Sequence, residues 1–468
     1  MRKIRISLYV IIASCLIFTG CVSASFKHEM ENAARAGDFD SALDVIKKNE
    51  DRSPYKNKNR LLFCLDYGLM CHYCGDFETS NLYLEEAETL IEQLDAVSVS
   101  REIGSYLLND NIREYSGEDY ESLYVNIFRC LNYIGLGMRD DALVEIRKAN
   151  LKLELLESKY RKQVADYNQS EDAQVEVPQV KNHFHNSALS RYLGTVLFRQ
   201  DHSYDDARIE AQWLEKAFAE QSSIYDFPVP EIPRQKFPSG DSALLDVMAF
   251  SGMGPVKEPL GFLVTVGGGL LTFSATGYDS DFVSSLLGFF ILPCPGVWHT
   301  SVMNFQIPIL EQRDRTPDSI VVSLTGEDGT RVTMDLLENV NSIAKDTYKL
   351  KLPLTVVKTA LRVIGKKIGS EAGQYAIREA SGDNSLAAIS GLLFDVLSAV
   401  SENADVRSCA MLPAYVYTAE LEVKPGVYDV TVDYYQNESL INSDVRSGVN
   451  IEKDRLNFLE SVNFRSIR

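Results

Sequence analysis

The chain has 468 residues and a formal net charge of −19, with 66 acidic and 47 basic side chains. The length predicts about three domains, and the 45% hydrophobic share is enough to build packed cores. The acidity argues against binding to nucleic acid, which needs Lys and Arg to neutralise phosphates. It also argues against docking on anionic lipid through a basic surface. Eight cysteines are too few for a disulfide scaffold in a chain this long.

The N-terminus has the organisation of a secretory signal peptide. Residues 2–5 carry three basic side chains, and residues 6–17 are uncharged and too short to span a membrane comfortably. The sequence Phe-Thr-Gly-Cys at 18–21 resembles the lipobox of bacterial lipoproteins, in which the cysteine is acylated and becomes the mature N-terminus. The resemblance implies a lipoprotein signal peptide over 1–20 and a membrane anchor on Cys21. The alternative is an ordinary signal peptide or a lone membrane anchor.

The residue after the cysteine bears on the compartment. It is Val22, and not the Asp that favours retention at the inner membrane. We therefore expect a lipid-anchored protein of the bacterial cell envelope, at the outer membrane and facing the periplasm. Removal of the signal peptide takes away three positive charges, so the mature chain would carry a charge of −22.

The N-terminal half repeats a helical motif. A Gly ends one helix, a small residue follows five positions later, and in most units a large apolar residue comes four positions after that. This is the tetratricopeptide pattern, in which small residues let paired helices approach closely. A fourth unit fits with one extra residue in its turn. We expect an irregular helical-repeat domain over 21–221, with packing residues Gly37, Ala42, Gly68, Gly75, Ser80, Ala87, Gly137, Ala142, Ala149, Gly194 and Ala207.

The predicted helices at 81–94 and 140–156 carry acidic residues opposite their Leu and Ile side chains. One interpretation is a solvated face. The other is a concave surface that binds a peptide or a helix of a partner protein, as repeat arrays do. The sequence does not distinguish the two.

Four short motifs lie outside the repeat pattern. They lie near residues 109–120, 252–257, 404–413 and 424–428, and their residues are Asn109, Asp110, Tyr115, Gly117, Glu118, Asp119, Tyr120, Gly254, Pro255, Lys257, Asp405, Arg407, Pro425 and Gly426. With them the chain resembles a family of largely uncharacterised bacterial tetratricopeptide-repeat lipoproteins, from about residue 30 to the C-terminus. The resemblance implies architecture and location, and it implies no catalytic residues.

The helical pattern ends at a proline-rich segment. Prolines at four positions between 228 and 238 predict an extended connector over 222–258. Residues 259–300 follow as an apolar insertion interrupted by Gly and Pro. One interpretation is buried strands and turns of a mixed domain. The other is an apolar hairpin that contacts lipid or an oligomer partner.

Residues 301–468 predict an α+β domain. Short β-branched runs and alternating apolar and polar residues indicate strands at about 319–336 and 414–464. Helical periodicity lies between them, at about 354–400. The predicted fold is multidomain: N-terminal all-α tetratricopeptide-like repeats, then an α+β region with a small C-terminal β-sandwich-like domain.

Catalytic and metal-binding patterns are weak. Cys71 and Cys74 have the spacing of a redox pair or half a zinc site, but Cys71 occupies a core position of its repeat and no second Cys pair follows at zinc-finger spacing. His183 and His185 stand at strand spacing without a third ligand nearby. Phosphate loops, dinucleotide loops and nucleophile elbows are absent from the sequence. We predict no enzyme activity, no cofactor and no metal site.

The sequence therefore favours a non-catalytic envelope lipoprotein that acts as a protein-binding scaffold or assembly factor. Its expected partners are the membrane, through the N-terminal lipid, and a protein on the helical-repeat surface; nucleic acid is not expected. The alternative is a membrane-active component of an oligomeric export or pore structure that uses residues 259–300. The oligomeric state and the identity of the partner stay open.

Overall fold

The structure is a computed structural model of the chain. It describes residues 26–101, 113–169, 177, 179–267, 270–275, 292–293, 301–315, 317–325, 329–356 and 404–465. The first part of this chain is helical and the second part contains the sheets, which confirms the predicted order of an α region followed by an α+β region.

The N-terminal region consists of helices joined in pairs by short turns. The bounds are α1 26–36 and α2 Phe39–Lys48, α3 Arg60–Tyr73 and α4 Phe77–Arg101, α5 Asp119–Gly135 and α6 Arg139–Asn168, and α7 Ala188–Gln200 and α8 Tyr204–Glu220. Each of the four pairs is therefore a helical hairpin, and successive pairs follow one another along the chain.

A left-handed residue closes the first helix of each pair. Gly37, Gly75 and Gly137 have φ values of 80°, 79° and 72°, and His202 has a φ of 58° in the fourth turn. The next residue donates its backbone N–H back to a carbonyl in the last helical turn, as from Asp76 to the Cys71 oxygen at 2.9 Å. This is the hydrogen bonding of a Schellman cap, which needs φ > 0 and so favours glycine.

The described strands form three four-stranded sheets. The strands are β1 Ala243–Met253, β2 Val256–Gly267, β3 Leu270–Ala275, β4 Leu292–Pro293, β5 Ser301–Glu311, β6 Ser319–Thr325, β7 Arg331–Thr333, β8 Asp335–Asn339, β9 Pro413–Val423, β10 Gly426–Gln436, β11 Ser439–Ile451 and β12 Asn457–Asn463. The inner sheet has the order β12-β1-β9-β8, the outer sheet β11-β10-β6-β7, and the third sheet β4-β3-β2-β5. Pairing is antiparallel except between β1 and β12.

The inner sheet lies between the helices and the outer sheet. Along β1, Leu245 and Val247 belong to the core shared with the outer sheet, whereas Met248 and Phe250 belong to the core shared with the helices. This alternation follows from the period of two along a strand. Because both faces of the inner sheet are covered, every residue of β1 is buried.

The proline-rich connector is shorter than the 222–258 that we predicted. Residues 243–253 form β1, which is paired on both sides, to β9 and to β12. A strand buried on both faces has a nearly continuous apolar sequence instead of an alternating one. The sequence of β1 therefore lacks the alternation of a half-exposed strand, which is why the sequence pattern does not separate it from the proline-rich connector.

The region predicted as an apolar insertion at 259–300 contributes strands to the third sheet. β2 begins at Val256, before the predicted boundary, and pairs from Val256 to Val266 with β5 from Glu311 to Ser301. The predicted insertion is thus paired with β5, which lies in the predicted α+β domain at 301–468. The described parts of the segment, at 259–267, 270–275 and 292–293, are strands of this sheet.

One helix in the C-terminal half begins earlier than predicted. Residues 340–356 are helical and follow β8 directly, whereas the helical pattern suggested a start near 354. The remainder of the predicted helical stretch, 357–400, lies outside the described residues. Within the described residues, no helix is both long enough and apolar enough to cross a membrane.

Candidate functional site

A groove separates the helical turns from the edge of the inner sheet. Its volume is about 970 Å³, at the upper end of the roughly 300–1,000 Å³ typical of ligand-binding sites. The turn regions of the second and third helix pairs form one wall, with Phe77 and Met138 among them. Strands β11 and β12 form the other wall, and Leu197 and Gln200 of α7 also line it.

Strand β12 presents its edge to this groove. It pairs with β1 on one side, and no other described strand pairs with its second edge. Phe458, Leu459 and Glu460 all line the groove. Consecutive side chains of a strand point to opposite faces, so a cavity that contacts three in a row reaches the strand from its edge. An extended ligand could therefore bind the backbone N–H and C=O groups of this edge.

A buried imidazole connects the two walls. His72 of α3 is 3% exposed, and its Nε2 lies 2.8 Å from Oε2 of Glu460 on β12. Its Nδ1 lies 2.7 Å from Oδ1 of Asn132, whose Nδ2 donates to Ser80 and Asn81. Because this fixes the amide orientation, Nδ1 of His72 must carry a proton.

The remaining polar groups of the groove are divided between its walls. On the helical wall, Arg139 pairs with Asp140 at 2.7 Å, and Asp141 follows in the same first turn of α6. On the sheet wall, Arg446 and Arg455 each have an acidic neighbour close in sequence, at 3.1 and 3.9 Å. The side-chain oxygen of Gln200 is buried and has no hydrogen-bond partner within the described part of the chain.

A second polar cluster, away from the groove, gathers many of the family-motif residues. Glu118, at the N-terminus of α5, forms buried ion pairs with Lys257 of β2 and with Lys351 of the helix at 340–356. Lys257 is 5% exposed and Glu118 is 4% exposed. The Glu118–Lys257 pair therefore joins the helical region to the third sheet at a buried position.

The loop that precedes β9 belongs to the same cluster. Arg407 donates two hydrogen bonds to Asp405, from Nε at 2.8 Å and from Nη2 at 2.7 Å, and a third to the side chain of Asn59. Its guanidinium and the Lys257 ammonium each lie 5.4 Å from the centre of the Tyr115 ring. Both distances are within the range of cation–π attraction.

Two buried carboxyl groups complete this cluster. Glu121 accepts hydrogen bonds from Tyr115 at 2.6 Å and from the Cys409 backbone at 2.6 Å. Burial and the neighbouring Glu118 raise its pKa to about 7. Burial raises the pKa of Asp66 to about 6, although the Ala410 N–H and the Tyr55 hydroxyl both donate to it.

The packing beside the two buried carboxyl groups of this cluster is tight. The void beside Glu121 and Cys409 is too small for a water molecule. Perturbed carboxyl groups occur in catalytic sites and also in structural networks. Here the geometry supports the structural role, because the charges hold several chain segments together.

Other motif residues lie around or outside the cluster. Asp119 forms an ion pair with Lys159 at 3.0 Å. Burial alone would raise the pKa of Asp119, but the Lys159 charge and the hydrogen bond from Tyr160 outweigh it and hold the pKa below its usual value. Gly117 has a φ of 78°, and Tyr120 is buried. Gly254, just before Pro255, donates its N–H to the Leu412 oxygen at 2.7 Å.

Pro425 and Gly426 lie at the turn between β9 and β10, at the far end of β9 from the loop that joins the cluster. Asn109 and Asp110 lie outside the described residues, as does the lipidation candidate Cys21.

The residues assigned to repeat packing lie in the helical hairpins. Six small ones are fully buried, namely Ala42, Ser80, Ala87, Ala142, Ala149 and Ala207. Gly68 and Gly194 lie inside α3 and α7, where an added Cβ would be 2.9 Å from Leu84 and 3.1 Å from Glu210, respectively. Gly37, Gly75 and Gly137 are the turn residues described above.

The cysteine candidates are partly or fully buried thiols, and the histidine candidates each lie beside a carboxylate. Cys71 and Cys74 are unpaired thiols, and burial raises the pKa of each to about 12. Nδ1 of His183 lies 3.2 Å from Asp346, and His185 lies 3.9 Å from Glu220. Within the described residues, no group of three or more His, Cys, Asp or Glu is arranged to hold a metal ion.

The predicted repeat residues Gly75 and Gly137 line the groove, but sequence reasoning missed the residues of its sheet wall. Glu460 stands in a short strand whose alternate residues Phe458 and Val462 are apolar and pack on the helical core. A charged residue in phase with an inward-facing apolar row is a signal of a buried polar contact. The sequence offered no corresponding signal that its partner would be His72.

Comparison with known proteins adds no relative. No family model matches the chain, and neither a curated protein nor a solved structure matches it.

Proposed function

We propose that the protein is a non-catalytic, lipid-anchored scaffold or assembly factor of the bacterial cell envelope, and that it binds a partner protein in the groove beside β12. The observation that carries this proposal is an open groove of about 970 Å³ along the edge of a strand with one neighbour in the described structure. Both polar and apolar groups line it, as in binding surfaces for peptides.

The tetratricopeptide interpretation is part of the same proposal. It is supported by four helical hairpins with a left-handed residue in each turn. It is also supported by the small buried residues five positions after the glycine in the first three hairpins, Ala42, Ser80 and Ala142. Repeat arrays of this kind commonly bind partner segments and have no catalytic machinery of their own.

The proposed location rests on the sequence around Cys21. Replacing this residue, Cys21→Ala, should release the protein from the membrane fraction of fractionated cells. Retention of the variant in the membrane would contradict the lipid anchor or reveal a second one. The parent protein and a Cys64→Ala variant, which alters a thiol inside α3, serve as controls.

Site-specific crosslinking tests the groove as the binding site. A photoreactive phenylalanine at Leu456, which lines the groove, should capture the partner in intact envelopes. The same probe at Val229, which is 58% exposed and belongs to the connector, is the matched control. Met138→Trp should narrow the groove and abolish the adduct at 456. Equal adducts at both positions, or an adduct unaffected by Met138→Trp, would rule the groove out.

A second proposal assigns a membrane-active role to residues 259–300. It is supported by the uncharged tracts of this segment. Limited proteolysis separates the two proposals. Protection of 259–300 in liposomes but not in detergent would support the membrane-active role, and equal cleavage in both would exclude it.

A further inference from the structure

We propose that the partner adds a β-strand to the open edge of β12, and that it is an extended segment with apolar residues at alternate positions and a Lys or Arg near one end. This inference deepens the proposed function and rests on the groove as the binding site. It names the mode of binding and the chemistry of the partner segment.

The edge of β12 is the first observation. The strand has seven residues, Asn457–Asn463, which corresponds to about 23 Å at roughly 3.3 Å per residue. Its other edge is paired with β1 over its full length, which holds the strand in an extended conformation before a ligand arrives. A preformed edge lowers the ordering cost of binding, because one of the two strands is already in place.

The lining of the groove indicates the side chains of the partner. Leu456, Phe458 and Val462 are partly buried apolar residues on the sheet wall, and Ile134 and Met138 face them from the helical wall. A strand laid between these walls would point alternate side chains into apolar surroundings. Gln200 supplies a buried carbonyl oxygen without a partner in the described structure, which an N–H donor could satisfy.

The charges of the groove favour a cation at the end where α6 begins. Asp140 pairs with Arg139 but keeps an exposed fraction of 84%, and the neighbouring Asp141 forms no ion pair with another described residue. The two arginines of the sheet wall already have acidic neighbours, Asp444 and Glu452. The net charge of −19 acts in the same direction, since it attracts positively charged segments.

Peptide selection tests the chemistry of the partner. A phage library of random twelve-residue peptides is selected against the detergent-solubilised full-length protein, and selected peptides are then synthesised for binding measurements. We expect alternating apolar residues with a Lys or Arg near one end. The double variant Asp140→Asn, Asp141→Asn should weaken their binding about three- to tenfold and reduce its salt dependence. The exposed pair Asp205→Asn, Asp206→Asn, at the start of α8, is the matched control.

Backbone methylation tests the strand. Methylating the alternate amides on one edge of the peptide should abolish binding, whereas methylating the intervening amides should leave it within about twofold, because a strand pairs through every second residue. Hydrogen exchange should show new protection of the alternate amides among 458–462 that point away from β1 when the peptide is present.

The outcomes separate the inference from the proposed function. Binding that is lost in Met138→Trp but is insensitive to both methylation patterns would overturn strand addition and leave the groove as the binding site. Binding that is unaffected by Met138→Trp would place these peptides elsewhere and overturn both. Selected sequences without alternation or without a cation would overturn the proposed chemistry of the partner.

Discussion

Glu460 of β12 and His72 of α3 are 388 positions apart in the chain, and their Oε2 and Nε2 atoms lie 2.8 Å apart. Similar contacts occur on the other strands of the inner sheet. On each of the four strands, one acidic residue forms an ion pair or hydrogen bonds with side chains of the helical region. The four residues are Glu460 on β12, Asp246 on β1, Glu420 on β9 and Glu338 on β8. Helices and sheet are therefore joined by specific polar contacts as well as by a shared hydrophobic core.

The other three acidic residues show how different these contacts are. Asp246 and Glu420 both receive the guanidinium of Arg199, which is 1% exposed. Glu338 has hydrogen bonds from Tyr124 at 2.6 Å, Ser187 at 2.8 Å, Tyr225 at 3.0 Å and a backbone N–H. Burial raises the pKa of Glu338 even though it accepts these bonds. Buried charges of this kind need every one of their partners.

Substitution at Glu460 tests the contact with His72. In Glu460→Gln the new amide N–H can donate to a neutral His72, so we expect a loss of less than about 1 kcal/mol in the free energy of unfolding. Glu460→Ala leaves the imidazole without this partner and should lose about 1–3 kcal/mol. Urea unfolding followed by circular dichroism measures both, with the exposed Glu29→Ala as control. A loss in Glu460→Ala no larger than that in Glu29→Ala would show that the hydrogen bond contributes nothing.

The buried pair of Lys257 and Glu118 should be strongly coupled. Lys257→Met removes one cation from Glu118, and breaking a buried ion pair in this way typically costs about 3–5 kcal/mol. Lys351 still pairs with Glu118 in this variant, so adding Glu118→Gln should cost less stability in Lys257→Met than it does in the parent protein. A double-mutant cycle from urea unfolding measures the coupling, with the exposed Lys345→Met as control. Additive effects of the two substitutions would contradict a direct interaction.

Because the pKa of Asp66 is raised, its contribution to the free energy of unfolding should decrease as the pH rises. Burial raises its pKa from the ordinary 3.8 to about 6, so the folded protein holds the proton more tightly than the unfolded chain does. The stabilisation is complete below about pH 4 and is lost as the pH rises through 6. At about 1.4 kcal/mol per pKa unit, the change amounts to as much as about 3 kcal/mol.

Asp66→Asn isolates this contribution. The Asn oxygen can accept from Ala410 as before, and its N–H can donate to the Tyr55 oxygen while the Tyr55 proton turns towards Met30. We expect the stability of the variant, relative to the parent, to improve between pH 4 and pH 7.5 in urea unfolding. Asp205→Asn, at a side chain 97% exposed, should follow the parent profile. Parallel profiles for Asp66→Asn and the parent would mean that the pKa of Asp66 is ordinary.

Gly68 should be required for the close approach of α3 and α4. A Cβ at this position would lie 2.9 Å from Leu84, so Gly68→Ala should overpack the interface and destabilise the fold by about 1–3 kcal/mol. Gly240→Ala meets no atom within 4 Å and is the matched control. Thermal unfolding compares the two, and an unchanged or higher melting temperature for Gly68→Ala would contradict close packing there.

The thiols of Cys71 and Cys74 should be unreactive in the folded protein. Burial raises both pKa values to about 12, so the nucleophilic thiolate is scarce at neutral pH. Maleimide labelling at pH 7.5 followed by peptide mass spectrometry should leave both unmodified until urea is added. Rapid native labelling of either residue, or a disulfide between them, would support the redox alternative that the sequence spacing raised.

The helical hairpins were accessible to sequence reasoning because their determinants are local. The turn at Gly75 requires a left-handed residue, and the small Ser80 and Ala87 recur at helical spacing within the same hairpin. The turn between β9 and β10 was predictable for the same reason, since Pro425 and Gly426 mark it within the sequence itself, although the two strands belong to different sheets. In each case the interacting residues are close together along the chain.

β1 was not accessible in this way. Its sequence is suited to burial on both faces, and only the placement of helices on one face and the outer sheet on the other explains it. The alternation of apolar and polar residues in β9 predicts a strand and does not reveal the surroundings of its polar residues. In the structure Thr418 is 2% exposed. Glu420 is buried and forms an ion pair with the guanidinium of Arg199.

The amino-acid sequence by itself determined where helices and hairpins form, because backbone dihedral preferences and side-chain periodicity act over a few residues. It also singled out Glu118, Lys257 and Arg407 as members of motifs without relating them to one another. The tertiary structure decided that these residues share one buried cluster, that Glu460 meets His72, and that the edge of β12 opens on a groove. Contacts between distant segments depend on how whole layers pack, and no local pattern encodes that arrangement.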